Sequence, residues 1–176
     1  MFHDEDLRLR PLVPLAESRE EGEVARLRRR LAAGEDLPPA WVVPAWVEEE
    51  FYRLNNLRFQ IERLFAGVWG VRVDEEALAR AADAARELVR GSYLVAERAE
   101  AFTAALPPRG PFVLRRPEGG DEETAPAPLE ALWALKRLWA ARWSLDAVIE
   151  RGPGGWPEPA PVLVEAPRQE RPIQLP

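Results

Sequence analysis

The sequence predicts a mainly α protein: a four-helix bundle or long helical hairpin, with a proline-rich extended C-terminal tail and room for a few short strands. Three observations carry that expectation. Apolar residues recur at helical spacing through long stretches at 44–66, 74–106 and 128–151. Within 74–106 the spacing alternates between three and four residues, close to a coiled-coil-like heptad seam. The last 24 residues carry seven prolines, which remove backbone donors and forbid a helix.

The expected domain organisation is an extended N-terminal arm over 1–16, a helical domain over 17–152 and a proline-rich extended tail over 153–176. In the arm, Pro11 and Pro14 leave an extended segment or at best an edge strand. Ser18 and Glu21 have the spacing of a capping box, so the first helix is expected over about 18–33, stopping at Gly34. The stretch GEDLPPAWVVPAW reads as a proline-punctuated turn, and Pro44 opens a second helix that ends before Gly67. Asp74 caps the third and longest helix, with a kink or break expected at Gly91–Ser92. Residues 109–128 read as a loop in which PFVL can form one short strand. A last helix then runs to Arg151 and ends at Gly152. In the tail, PVLVE is the one segment with strand character, free to pair with the arm and with PFVL.

Asn55 and Asn56 stand in the middle of the second expected helix, where amide side chains compete for backbone hydrogen bonds. On a helical wheel Val47, Phe51, Leu54, Leu57, Ile61, Leu64 and Phe65 share one core-facing arc, while Tyr52 and Phe59 lie together on another side. The asparagines flank that second aromatic strip. Either the helix packs on two sides within the domain, or Tyr52, Asn55, Asn56 and Phe59 form a contact surface for another chain. The last helix is apolar nearly all round. Trp133, Trp139 and Trp143 cluster with Leu129, Leu132 and Leu135, while Leu138, Leu145 and Ile149 point the opposite way. It is expected to be covered by the tail, which carries Trp156, or to sit at a subunit interface.

Composition excludes more chemistry than it suggests. The single histidine, His3, sits near the start, and there is no cysteine, so histidine acid–base chemistry and Cys/His metal sites are not expected. No glycine-rich phosphate loop and no G-x-S-x-G occur. No cofactor is expected. Carboxylates alone could still hold Mg2+ in an all-α hydrolase, and Glu48, Glu49, Glu50, Glu62 and Asp74–Glu76 are the candidates. A basic run, Arg26, Arg28, Arg29 and Arg30, could meet an acidic partner or nucleic acid. Acids precede it and the chain carries a net charge of −6, so a solvated, salt-bridged face is the plainer expectation. The start, MFHDEDLRLR, lacks the apolar core of a secretory signal, and no apolar run could span a bilayer; a cytoplasmic protein with no membrane partner is expected. One Lys against 23 Arg, two Asn and 18 Pro fit a thermophilic bacterium with a GC-rich genome. The leading functional expectation is a non-enzymatic interaction or assembly protein, acting as a homo-oligomer or as an accessory subunit. The metal-dependent hydrolase and the nucleic-acid-associated regulator are the alternatives.

Overall fold

The computed structural model describes residues 10–168, and within them the protein is a mixed α/β structure of seven helices and one five-stranded antiparallel sheet. The elements in order are β1 (Val13–Pro14), a 3-10 turn (Leu15–Glu17), α1 (Glu23–Ala32), β2 (Ala40–Val43), α2 (Ala45–Leu54), α3 (Leu57–Leu64), α4 (Glu75–Gly91), α5 (Ala96–Ala105), β3 (Phe112–Arg115), β4 (Glu122–Ala125), α6 (Pro128–Ala141), α7 (Leu145–Arg151) and β5 (Val162–Glu165). The strand order is β1-β2-β5-β3-β4. The expectation of an all-α bundle, helical hairpin or coiled-coil-like helix is therefore corrected.

The proline-rich tail is not an appendage. PVLVE supplies β5, the central strand, which pairs with β2 through Trp41↔Val164 and with β3 through Leu114↔Val164. The N-terminal arm pairs with β2, through Val13↔Val42, rather than with the tail. Two strands, β2 and β4, stand where a turn and a loop were expected. AWVV in β2 and VLV in β5 are continuous apolar runs because both faces of the sheet are covered, so neither shows the alternation of a half-exposed strand. Val13, Leu15, Val24, Val42 and Leu163 form a small cluster with α1 on one face. Val43, Phe112, Leu114, Val162 and Val164 join the main core with the other helices on the opposite face. β4, EETA, is an edge strand that buries only Ala125, so its sequence carries no apolar pattern at all.

Each long expected helix is divided. The stretch 44–66 breaks at the asparagines: Asn55 closes α2, and Asn56 precedes α3 in the left-handed conformation, φ 50°. Asn55 also fastens that elbow to the segment after α4. Its Nδ2–H donates to Phe51 O at 2.8 Å and to Tyr93 O at 3.0 Å, and Tyr93 N–H donates to Asn55 Oδ1 at 3.3 Å. The amides thus stop one helix and orient the next, which a continuous-helix reading could not allow. Because a β-branched residue is strained at positive φ, Asn56→Val is expected to cost about 1–2 kcal/mol and Asn56→Gly well under 1 kcal/mol, measured by urea denaturation.

The seam over 74–106 ends at Gly91. Ser92 is extended, its Oγ–H donates to Leu88 O at 2.7 Å, and Lys136 Nζ donates to Ser92 O at 3.1 Å. α4 and α5 then pack separately against α6, so no coiled-coil-like helix forms. The last expected helix divides at Arg142–Ser144, where Ser144 Oγ accepts from Ala147 N–H and caps α7. The first begins only at Glu23. Gly22 sits at φ 66°, and the α1 N-terminus is capped from outside, Glu23 N–H donating to Glu118 Oε1 at 2.6 Å.

Candidate functional site

The site forms where α2, α3 and the end of α6 meet the returning tail. α2 buries Val47, Glu48 and Phe51 against the core. One position further along, Tyr52 reaches the end of α6, where Trp143 Nε1–H donates to the Tyr52 hydroxyl at 2.8 Å. After α7 the chain must reverse within four residues. Gly155 permits this, because a Cβ there would lie 2.6 Å from the Arg151 carbonyl oxygen. The reversal lays Trp156 on both aromatics, with ring centroids 5.9 Å from Tyr52 and 5.0 Å from Trp143. Phe65 completes the cluster at 5.8 Å from Trp143.

Two clefts open beside this cluster. One, of about 290 Å3, is lined by Arg58, Ile61, Phe65, Trp69, Trp143 and Trp156. The other, of about 400 Å3, is lined by Glu48, Tyr52, Asn56, Arg58, Trp156 and Pro157 among others. Arg58 and Trp156 belong to both. The Arg58 guanidinium lies 5.1 Å from the Trp156 ring and pairs with Glu62 at 3.0 Å. The Arg151 guanidinium lies 4.8 Å from the Trp143 ring. Such stacked cations help to hold the aromatic faces in place.

Glu48 is the buried acid of the site, 3% exposed. It accepts from Arg142 Nη1–H and from Ala160 N–H at 3.2 Å, so it holds the tail to α2 and α6. Burial pushes its carboxyl up to about 7, against the pull of Arg142, the Ala160 amide and Arg116. Burial and the Glu48 charge together push the Tyr52 phenol well above its ordinary value, so it stays protonated at neutral pH. Residues 153–168 of the tail thus pack on their own chain.

The residues singled out in the sequence divide. Tyr52, Trp143 and Trp156 come together, and Asn56 lies on the wall of the second cleft. Asn55 is spent on the elbow. Trp139 is a core residue, 1% exposed and 4.8 Å from the Phe51 ring. Phe59 and Trp133 are half exposed, Phe59 under the Arg63 guanidinium at 5.7 Å. The basic run is largely engaged within the chain: Arg26 pairs with Glu118, Arg30 with Glu35, and Arg28 donates to Ser18 O. Arg29 is exposed. His3 lies outside the described residues.

The carboxylates considered for Mg2+ do not converge. Glu48 pairs with Arg142, Glu50 with Arg98 at 2.9 Å and Glu62 with Arg58, while Asp74 caps α4. Among the described residues no three His, Cys, Asp or Glu side chains are grouped as a metal site. Each serine is committed to local backbone: Ser18 accepts from Glu20 N–H, Ser92 donates within α4, and Ser144 caps α7.

Sequence reasoning missed Arg58, Phe65 and Trp69 as cleft residues, and Arg142 and Arg116 as the cations around Glu48. The one local signal was GPGGWP, a glycine turn that brings Trp156 back toward the helices where the cleft forms.

The fold and site define a mixed α/β protein with an aromatic cleft between α2, α3, the end of α6 and the returning tail. No protein-family model matches the chain, and no curated protein matches it. Among the described residues no helix is long and apolar enough to cross a membrane.

Proposed function

We propose that this is a non-enzymatic interaction or assembly protein, and that it binds an apolar or aromatic side chain of a protein partner in the paired clefts around Trp156. The observation that carries this reading is the aromatic lining itself. Tyr52, Phe65, Trp69, Trp143 and Trp156 border two adjoining clefts, each of the size that holds one or two side chains. Tyr and Trp supply rigid contact area at low entropic cost, and Arg58 adds an exposed cation at the shared wall. The paired arginines and carboxylates elsewhere favour this reading over a hydrolase or a nucleic-acid regulator. The reading places the protein in the cytoplasm, in keeping with a chain that is 31% charged.

The test is a peptide-display selection against the full chain, with selected peptides titrated by the change in tryptophan fluorescence. Saturable binding is expected, weakened about tenfold or more by Phe65→Ala, the loss of one aromatic wall. Sedimentation of the chain alone identifies self-association: a dimer lost on Phe65→Ala makes a second copy the occupant. The reading fails if no peptide saturates and the chain stays monomeric, or if Phe65→Ala leaves every interaction unchanged.

A further inference from the structure

Three guanidiniums gather behind the aromatic cleft, and two of them, Arg142 and Arg116, act on the buried Glu48 carboxylate. Arg116 follows β3, Arg142 closes α6 and Arg151 ends α7. Arg142 and Arg116 both act on the charge of Glu48, and both disfavour the charge of Arg151, whose pKa burial and their repulsion together lower. None of the three can shed its proton at ordinary pH. Arg142 has Glu48, and Arg116 Nη2 donates to Asp121 at 2.6 Å. Even so, Arg116 Nε and Arg151 Nε and Nη2 are shut off from solvent without an acceptor among the described residues. Stranded donors on a charged group are more costly than neutral ones. Arg142 and Arg116 each have a carboxylate partner, while Arg151 stacks on the Trp143 ring and has the exposed Glu150 nearby.

An opening leads to two of the three guanidiniums, Arg116 and Arg142. A cleft of about 420 Å3 lies between the β3–β4 hairpin and Ala160–Pro161, and both Arg116 and Arg142 line it. The hairpin rests directly on Arg116: a Cβ at Gly120 would lie 2.6 Å from the Arg116 Cβ, so only glycine lets the backbone press there. Two acids share the cleft. Glu118 is engaged, both its oxygens accepting from Arg26 and one also from Glu23 N–H, and Glu21 is exposed.

We propose that this cleft binds a small tetrahedral oxyanion, a phosphate, which bridges the Arg116 and Arg142 guanidiniums while Arg151 contributes its charge from behind. The forked donors of two arginines match the oxygens of such an ion. Glu48 competes with the anion for Arg142, so the site is tuned from within: removing the Glu48 charge strengthens binding. The two sites share no lining residue, and they adjoin through Glu48, which lines the second aromatic cleft and holds Arg142. The oxyanion cleft supplies a second ligand class, free phosphate or the head group of a phosphate monoester.

The full chain is titrated with inorganic phosphate by calorimetry and by thermal melting, with chloride at matched ionic strength as the control. Phenyl phosphate is run beside it. Saturable phosphate binding is expected, with a rise in melting temperature that chloride does not give. Arg116→Gln is expected to weaken it about tenfold or more, the loss of one charge-assisted contact, and Glu48→Gln to tighten it. Phenyl phosphate binding tighter than phosphate assigns the site to a monoester, and weaker binding assigns it to the free ion. Absence of saturation, an equal effect of chloride, or unchanged affinity in Arg116→Gln overturns the proposal. If Arg116→Gln gives no cooperative melt, Arg116→Lys, which keeps the charge and loses the fork, carries the same test.

Discussion

A chain ending at residue 152 is expected to lose cooperative folding altogether. The cut removes β5, and with it Val162, Leu163 and Val164, all 1% exposed or less, together with Trp156. Each fully buried aliphatic side chain contributes about 1.5–3 kcal/mol, and the whole domain has only about 5–15 kcal/mol of stability. The loss extends beyond side chains. β2 and β3 each pair with β5, so removing it leaves two sheet fragments with unpaired inner edges. Circular dichroism melts of the cut and full chains check this; a sharp, cooperative melt from the cut chain would refute it. A gentler companion is Leu163→Ala, expected to cost about 2–5 kcal/mol, against Thr124→Ala on the exposed edge strand, expected within about 0.5 kcal/mol of wild type.

The second large effect falls on Glu48. Glu48→Ala is expected to cost about 3–5 kcal/mol, because it deletes the acceptor for Arg142 and Ala160 and leaves buried guanidiniums without it. Glu48→Gln keeps an acceptor oxygen and should cost less. Glu48 also makes stability depend on pH in a definite direction. Its carboxyl titrates at about 7 in the folded chain against 4.5 ordinarily, so between those values the folded state holds more protons than the unfolded state. Its favourable contribution is complete below pH 4.5 and is lost as pH rises through about 7, up to about 3 kcal/mol in total. Urea denaturation at pH 5 and pH 8 should show wild type losing more stability than Glu48→Gln over that interval. Equal losses in the two chains would remove Glu48 as the source.

How much of this was legible depends on the range of the interactions. Two caps were legible, because capping is local: Asp74 does open α4 and Gly152 does follow α7, whereas the expected Ser18–Glu21 capping box does not form and Gly22 precedes α1. The weak points were visible too. Asn55–Asn56 and Gly91–Ser92 stood out as poor helix interior, and both are breaks. Asn55 was read as a flank of an aromatic strip because nothing nearby in sequence announces Tyr93, its partner 38 residues away. Of the aromatic strip, Tyr52 turned inward to Trp143 while Phe59 stayed outside, since the break at Asn56 rotates α3 away from the wheel drawn for one continuous helix.

By itself the sequence determined where the helical segments lie and where most of them end. It also determined which residue types are on hand for chemistry: no cysteine, one histidine, few serines and abundant paired charge. Helices form from hydrogen bonds between near neighbours, so their signals are written side by side in the chain. Only the tertiary structure decided that a proline-rich tail supplies the central strand, that Glu48 meets Arg142 and Ala160, and that Trp156 closes on Tyr52 and Trp143. Trp41 pairs with Val164, and Glu48 meets an amide 112 residues away. Sheet pairing and buried charge pairs are chosen by packing across the fold, and a strand buried on both faces is only a short apolar run until its neighbours are in place.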